Sequence, residues 1–146
     1  MNDLIISLSR VVKDLEELKT DFCLVGGFAV ATHGYERTTK DIDLAISVAQ
    51  DSESELLVRN LYNLGYEQHS VLEHEPTGRL ATVRMVRNID GQSTILDLLF
   101  ASSGIESEIV AGAKLQEIIP GLKLRVAEVP HLVAMKLLSF DPFRRG

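Results

Sequence analysis

The chain has 146 residues, 45% of them hydrophobic and 25% charged, with a formal net charge of −6. This length suits one domain, and the balance is that of a globular protein, which excludes disorder, collagen-like repeats and coiled coil as overall descriptions. No apolar run approaches the ~20 residues needed to cross a bilayer, and the acidic balance argues against a surface built to grip nucleic acid nonspecifically. The N-terminal segment lacks a signal-peptide layout. The single cysteine, Cys23, cannot form an internal disulfide, so a cytoplasmic setting is expected.

Leu4, Ile5, Leu8, Val11, Val12, Leu15 and Leu18 recur at helical spacing, which predicts an amphipathic helix over 3–19 capped by Asn2 or Asp3. Phe22–Val25 reads as a short strand running into Gly26-Gly27, and FAVATHG as one or two helical turns closed by Gly34. DIDLAIS alternates with period two: Ile42, Leu44, Ile46 and Val48 point one way, and Asp41, Asp43, Ala45 and Ser47 the other. A helix is expected over 52–64, then strands over 66–72, 80–87 and 94–100. Pro76-Thr77-Gly78 and Asp90-Gly91 supply the turns, the second marking a hairpin. Ile105–Ala113 reads as a helix, 114–118 and 122–126 as strands about Pro120-Gly121, and Val129–Phe140 as the last helix. Hairpin-linked strands among helices argue for an α+β (mixed α/β) fold, a mixed sheet flanked by helices, and not a regular βαβ winding.

The acidic pair Asp41-Ile42-Asp43 is the strongest chemical feature. Two carboxylates two apart on a strand leave the same face, roughly 6–7 Å apart at the backbone, close enough for their oxygens to meet one cation. Like-charge repulsion makes the pair costly, and a divalent ion removes that cost; the alternative is a polar strand face turned to water. Asp97 interrupts the apolar run Ile95-Leu96-Asp97-Leu98-Leu99-Phe100, and a buried carboxylate there needs a partner: it is a lone Asp on an edge strand, one paired with an arginine, or a ligand of a shared metal. Three carboxylates on neighbouring strands would build a two-metal site of the kind used in phosphoryl or nucleotidyl transfer.

Gly26-Gly27 stands where a strand turns into a helix, a place that allows close approach to the backbone and offers free N–H groups to a phosphate. Thirteen residues separate Gly27 from Asp41, enough for a short helix and a return into an adjacent strand. Other phosphate motifs are absent: there is no G-x-x-x-x-G-K-[ST] and no G-x-G-x-x-G, and Ala45 breaks the aspartyl-phosphatase pattern. A glycosyltransferase-type D-x-D remains as a rival. Arg37 and Lys40 flank the acidic pair, able either to contact phosphates or to bridge the acids. Lys136 interrupts an apolar helix and is either a snorkelling surface side chain or a phosphate contact. The histidines lack zinc-ligand spacing and read as structural, His33 being notable for its nearness to the Gly-Gly turn.

Taken together, LVGGFAVATHGYERTTKDIDLAI resembles the signature of the polymerase-β-type nucleotidyltransferase superfamily: strand, Gly-Gly, short helix, D-x-D. Within it the chain is most similar to the AbiEii/AbiGii-like toxin branch, with VAEVPHLVAMKLLSF adding to the likeness. The resemblance implies a small mixed-sheet core and transfer of a nucleotidyl group from an NTP to a hydroxyl of tRNA, protein or a small molecule. It implies that Asp41 and Asp43 bind Mg²⁺ carrying the NTP, and that Asp97 is a third metal ligand and general base. Gly26 and Gly27, with Arg37, Lys40 and Lys136, would hold the triphosphate, and an antitoxin partner becomes conceivable. Relatives continue beyond the last helix, whereas this chain stops at SFDPFRRG, so their helical extension is expected to be short or missing. The competing expectation is a catalytically degenerate nucleotide-binding or protein-interaction module of the same fold.

Overall fold

The apolar stripe of the first segment does what its spacing predicts. Helix α1 spans Asp3–Glu17 and buries Leu8, Val11, Val12 and Leu15 against a sheet. The computed structural model describes residues 3–34, 41–48, 50–74, 79–89, 92–100 and 105–139. After α1 come β1 (Asp21–Val25), α2 (Gly26–Thr32), β2 (Ile42–Ser47), α3 (Asp51–Asn63), β3 (Glu67–His74), β4 (Arg79–Ile89) and β5 (Gln92–Phe100). Then follow α4 (Ile105–Gly112), β6 (Lys114–Ile119), β7 (Leu122–Val126) and α5 (Val129–Ser139). Each expected element is present with ends moved by a few residues. The largest difference is at α2, which begins at Gly26 itself. Asn2, the turns at 76–78 and 90–91, and Phe140 lie outside the described residues.

The strands form one seven-stranded sheet in the order β3-β4-β5-β2-β1-β7-β6. Hairpin neighbours pair antiparallel, as do β1 and β2, whereas β2 pairs parallel with β5 and β1 parallel with β7. The sheet is therefore mixed, and the fold is mixed α/β. Period-two alternation gives it two different faces. On one, Leu24, Leu44, Ile46, Leu96, Leu98 and Val83 join the large core beneath α1 and α3. On the other, Cys23, Val25 and Ala45 pack with Ile109 and Val110 of α4. This second cluster is small, and it covers only part of its face. The part beyond it carries the acidic residues.

Two polar ties fix the periphery. Tyr66 donates to Asp14 Oδ2 at 2.8 Å, and Arg87 Nη1 donates to the same oxygen at 3.2 Å, its guanidinium 5.1 Å from the Tyr66 ring centroid. These contacts bind α1 to β4 and to the start of β3. No described helix is long and apolar enough to cross a membrane.

Candidate functional site

The acidic residues meet because of strand register. In the antiparallel β1–β2 ladder Val25 is opposite Asp43; in the parallel β2–β5 ladder Asp43 is beside Asp97; in the β4–β5 hairpin Asp97 is opposite Arg84. Residues directly paired across neighbouring strands project from one face. Val25, Asp43, Asp97 and Arg84 thus form a single row across four strands, and Asp41, two residues before Asp43, lies on the same side. The sequence left open whether Asp97 stands beside the acidic pair; the register puts it directly beside Asp43.

Arg84 was not among the residues singled out. Its Nε donates to Asp97 Oδ1 at 2.8 Å and its Nη2 to Oδ2 at 2.9 Å, a bidentate fork. The same Nη2 stands 3.6 Å from Asp41 Oδ2. Asp97 is the best sheltered of these ionic partners, its side chain 13% exposed against 43% for Arg84. The fork and the surrounding acids hold the guanidinium firmly in its charged form, the hydrogen bonds it donates to Asp97 foremost. The sequence did contain the signal: Asp90-Gly91 read as a two-residue hairpin turn puts Ile89 opposite Gln92, and counting back from there puts Arg84 opposite Asp97, the pairs the ladder shows.

Among the described residues Asp43 has the most perturbed carboxyl. Burial, the adjacent Asp97 charge and a hydrogen bond shared with Asp97 push it up to about 7, with Arg84 opposing. Two carboxyls at neighbouring ladder positions cannot both ionise without cost, so a proton or a cation is favoured between them.

The Gly pair meets Asp43 directly. Gly26 adopts φ +72°, a left-handed conformation, and a Cβ there would stand 2.9 Å from both Cβ and Cγ of Asp43 and closer still to Oδ2. Glycine is required on both counts. Val25, at the N-cap of α2, provides no side-chain hydrogen bond to the first turn. Gly27 follows within that turn, half-buried. The backbone at Gly26 thus stands directly against Asp43.

The remaining candidates divide. Arg37 and Lys40 lie outside the described residues. Lys136 belongs to α5, which contacts α2. His33 is structural: its Nε2 is 2.9 Å from the Ala127 carbonyl oxygen, tying the end of α2 to the segment after β7. Cys23 is fully buried, and burial pushes its thiol up to about 12, which leaves it without nucleophilic character.

No protein-family profile matches the chain, and no curated protein matches it either. Solved structures do. A candidate nucleotidyltransferase from Thermotoga maritima superposes with a TM-score of 0.61 at 13% identity, covering 92% of this chain and 83% of that one. ANT(2″)-Ia, solved in complex with adenylyl-2″-tobramycin, gives 0.58 at 15% identity, covering 100% of this chain and 82% of that one. The fold is that of nucleotidyltransferase structures. At these identities the likeness establishes the fold, and the chemistry rests on the residue row.

That row supplies the right donors for a hard divalent ion: carboxylate oxygens from Asp41, Asp43 and Asp97 on one face, with the strain of like charge at Asp43 that such an ion relieves. In the arrangement described, Arg84 takes both oxygens of Asp97. Among the described residues no group of three or more His, Cys, Asp or Glu side chains is placed so that it could hold a metal ion.

Proposed function

We propose that the chain is a nucleotidyltransferase that moves a nucleoside monophosphate unit from an NTP to an acceptor hydroxyl, using Mg²⁺ held by Asp41, Asp43 and Asp97. The observation that carries this reading is the Asp43–Asp97 pairing beside a glycine that leaves no room for a side chain against Asp43. A plain turn has no need to press its backbone against a carboxylate. The bound ion would neutralise the triphosphate and allow it to approach the acids.

The chain's own residues have distinct parts in this scheme. Asp41 and Asp43 hold the ion together with Asp97. The first N–H groups of α2, at Gly26 and Gly27, face a phosphate oxygen, a placement favoured by the partial positive charge of a helix start. Arg37, Lys40 and Lys136 add positive charge toward the triphosphate. Asp97 accepts the acceptor's hydroxyl proton on a carboxylate oxygen as that hydroxyl attacks the α-phosphorus. The bond to the β-bridging oxygen breaks, and pyrophosphate leaves with the electron pair. Alignment and charge neutralisation supply most of the acceleration.

The acceptor is an RNA end, a protein side chain or a small molecule. One fold neighbour was solved with a nucleotidylated small molecule, adenylyl-2″-tobramycin, which makes small-molecule hydroxyls worth including. The resemblance of the Gly-Gly and D-x-D block to toxin nucleotidyltransferases supports a role in defence or in a toxin–antitoxin pair within the cytoplasm. Incubating the protein with each α-labelled NTP, Mg²⁺, and total RNA, protein or an aminoglycoside panel tests the reading. Label transfer by the wild type and its loss in Asp43→Ala are expected.

One observation favours a second reading. With Asp97 already forked by Arg84, the site could be a degenerate module that binds nucleotide without transferring it. Retained NTP binding with no transfer to any acceptor class would favour that reading.

A further inference from the structure

Arg84 bonds both oxygens of Asp97, and its Nη2 also lies 3.6 Å from Asp41 Oδ2. A single guanidinium therefore spans two of the three carboxylates assigned above to the metal. Strand pairing does not need it: β4 and β5 are in register from Thr82↔Leu99 to Ile89↔Gln92 through backbone bonds alone. Nor is it a packed part of the core, for its side chain is 43% exposed. Asp97, by contrast, is sheltered, and a sheltered carboxylate left without a cation is costly. A guanidinium fork and a divalent ion also use the same oxygen lone pairs.

We propose that Arg84 is an internal counter-cation that competes with the divalent ion. It compensates Asp97 and Asp41 when no ion is bound, and it swings out toward solvent when an ion takes those oxygens. Arg84 is thus a positioning residue that sets the affinity of the site for its metal. The assignment rests on the metal-site reading given above.

The test uses the full chain stripped of metal, with Mn²⁺ alone as probe, titrated into wild type, Arg84→Gln and Arg84→Lys by calorimetry or electron spin resonance. Removing a cation from the carboxylates should tighten Mn²⁺ binding by about tenfold in Arg84→Gln and by a smaller factor in Arg84→Lys, whose ammonium lacks the fork. In EDTA, Arg84→Gln should melt below wild type, and Mn²⁺ should recover the difference. If Arg84→Gln does not fold in EDTA, Arg84→Lys carries the test through its tighter binding. Mn²⁺ affinities within about twofold of wild type, or weaker, in the folded variants overturn the competition and leave the metal site standing. Absence of Mn²⁺ binding from all three proteins overturns the metal-site reading and this assignment with it.

Discussion

Asp43 and Asp97 are direct neighbours in the parallel β2–β5 ladder, and the charge of Asp97 helps to raise the Asp43 carboxyl. Their proximity is imposed by backbone register, so the side chains cannot relax it by moving apart along the strands. The consequences are measurable both in stability and in chemistry.

The pH dependence of stability should carry the signature of Asp43. Its carboxyl goes from an ordinary value of 3.8 up to about 7 in the folded chain, with burial the first cause and Asp97 the second. Between those values the folded chain holds a proton that the unfolded chain has lost, so stability is greatest below the window and declines as pH rises through it. In EDTA, Asp43→Asn should therefore be more stable than wild type at pH 8, on the order of 1–2 kcal/mol, and nearly equal to it at pH 4. Thermal melts of both proteins across this range check the sign. A wild-type curve flat from pH 4 to 8 would contradict the raised carboxyl.

Divalent ion should act in the opposite sense. An ion binds the ionised carboxylates, so Mg²⁺ or Mn²⁺ should raise the melting temperature at pH 8 and have little effect at pH 5. Differential scanning fluorimetry at the two pH values reads this directly. Equal stabilisation at both would place the ion elsewhere.

Gly26→Ala should be destabilising and should disable the site together. The φ of +72° costs a residue with a Cβ roughly 1–2 kcal/mol, and the new methyl must displace Asp43. Melting temperature and Mn²⁺ affinity are both expected to fall, whereas Gly34→Ala, whose Cβ would meet nothing within 4 Å, should lower only the melting temperature.

How much of this was legible in the sequence follows from the range of each interaction. The D-x-D alternation and Asp97 within an apolar strand are local signals: period two fixes the face, and the cost of sheltering a carboxylate marks it as partnered. The β2–β5 pairing is not local. It is a parallel contact between strands separated by α3 and a hairpin, and nothing in either segment names the other. Arg84 was readable by counting along the hairpin from Asp90-Gly91, but an arginine in a strand ordinarily signifies a solvated face. The left-handed Gly26 is visible only once Asp43 is placed against it. The parallel docking of β7 on β1 through Leu24 and Val126 depends on core packing that periodicity does not encode.

Away from the site, Tyr66→Phe should cost about 1 kcal/mol, the usual net worth of a hydrogen bond, because Arg87 still satisfies Asp14. Denaturant melts give the stability, and metal affinity, read through the separate carboxylate row, should be unchanged. Loss of Mn²⁺ binding in this variant would show the two regions to be coupled.

Cys23 should be inert toward a thiol reagent at pH 8 in the native protein and should react at the rate of opening. Its side chain is fully buried and its thiol is raised to about 12. A fast native reaction would contradict the packing of β1 against α4.

The most direct test of the carboxylate row compares α-labelled with γ-labelled NTP in the presence of Mg²⁺ and the acceptor panel. The α-label is expected to enter the product while the γ-label leaves as pyrophosphate, and Asp43→Ala or Asp97→Ala is expected to lower the rate by at least about a hundredfold. Transfer of the γ-label, or α-label transfer undiminished in Asp43→Ala, would contradict this expectation.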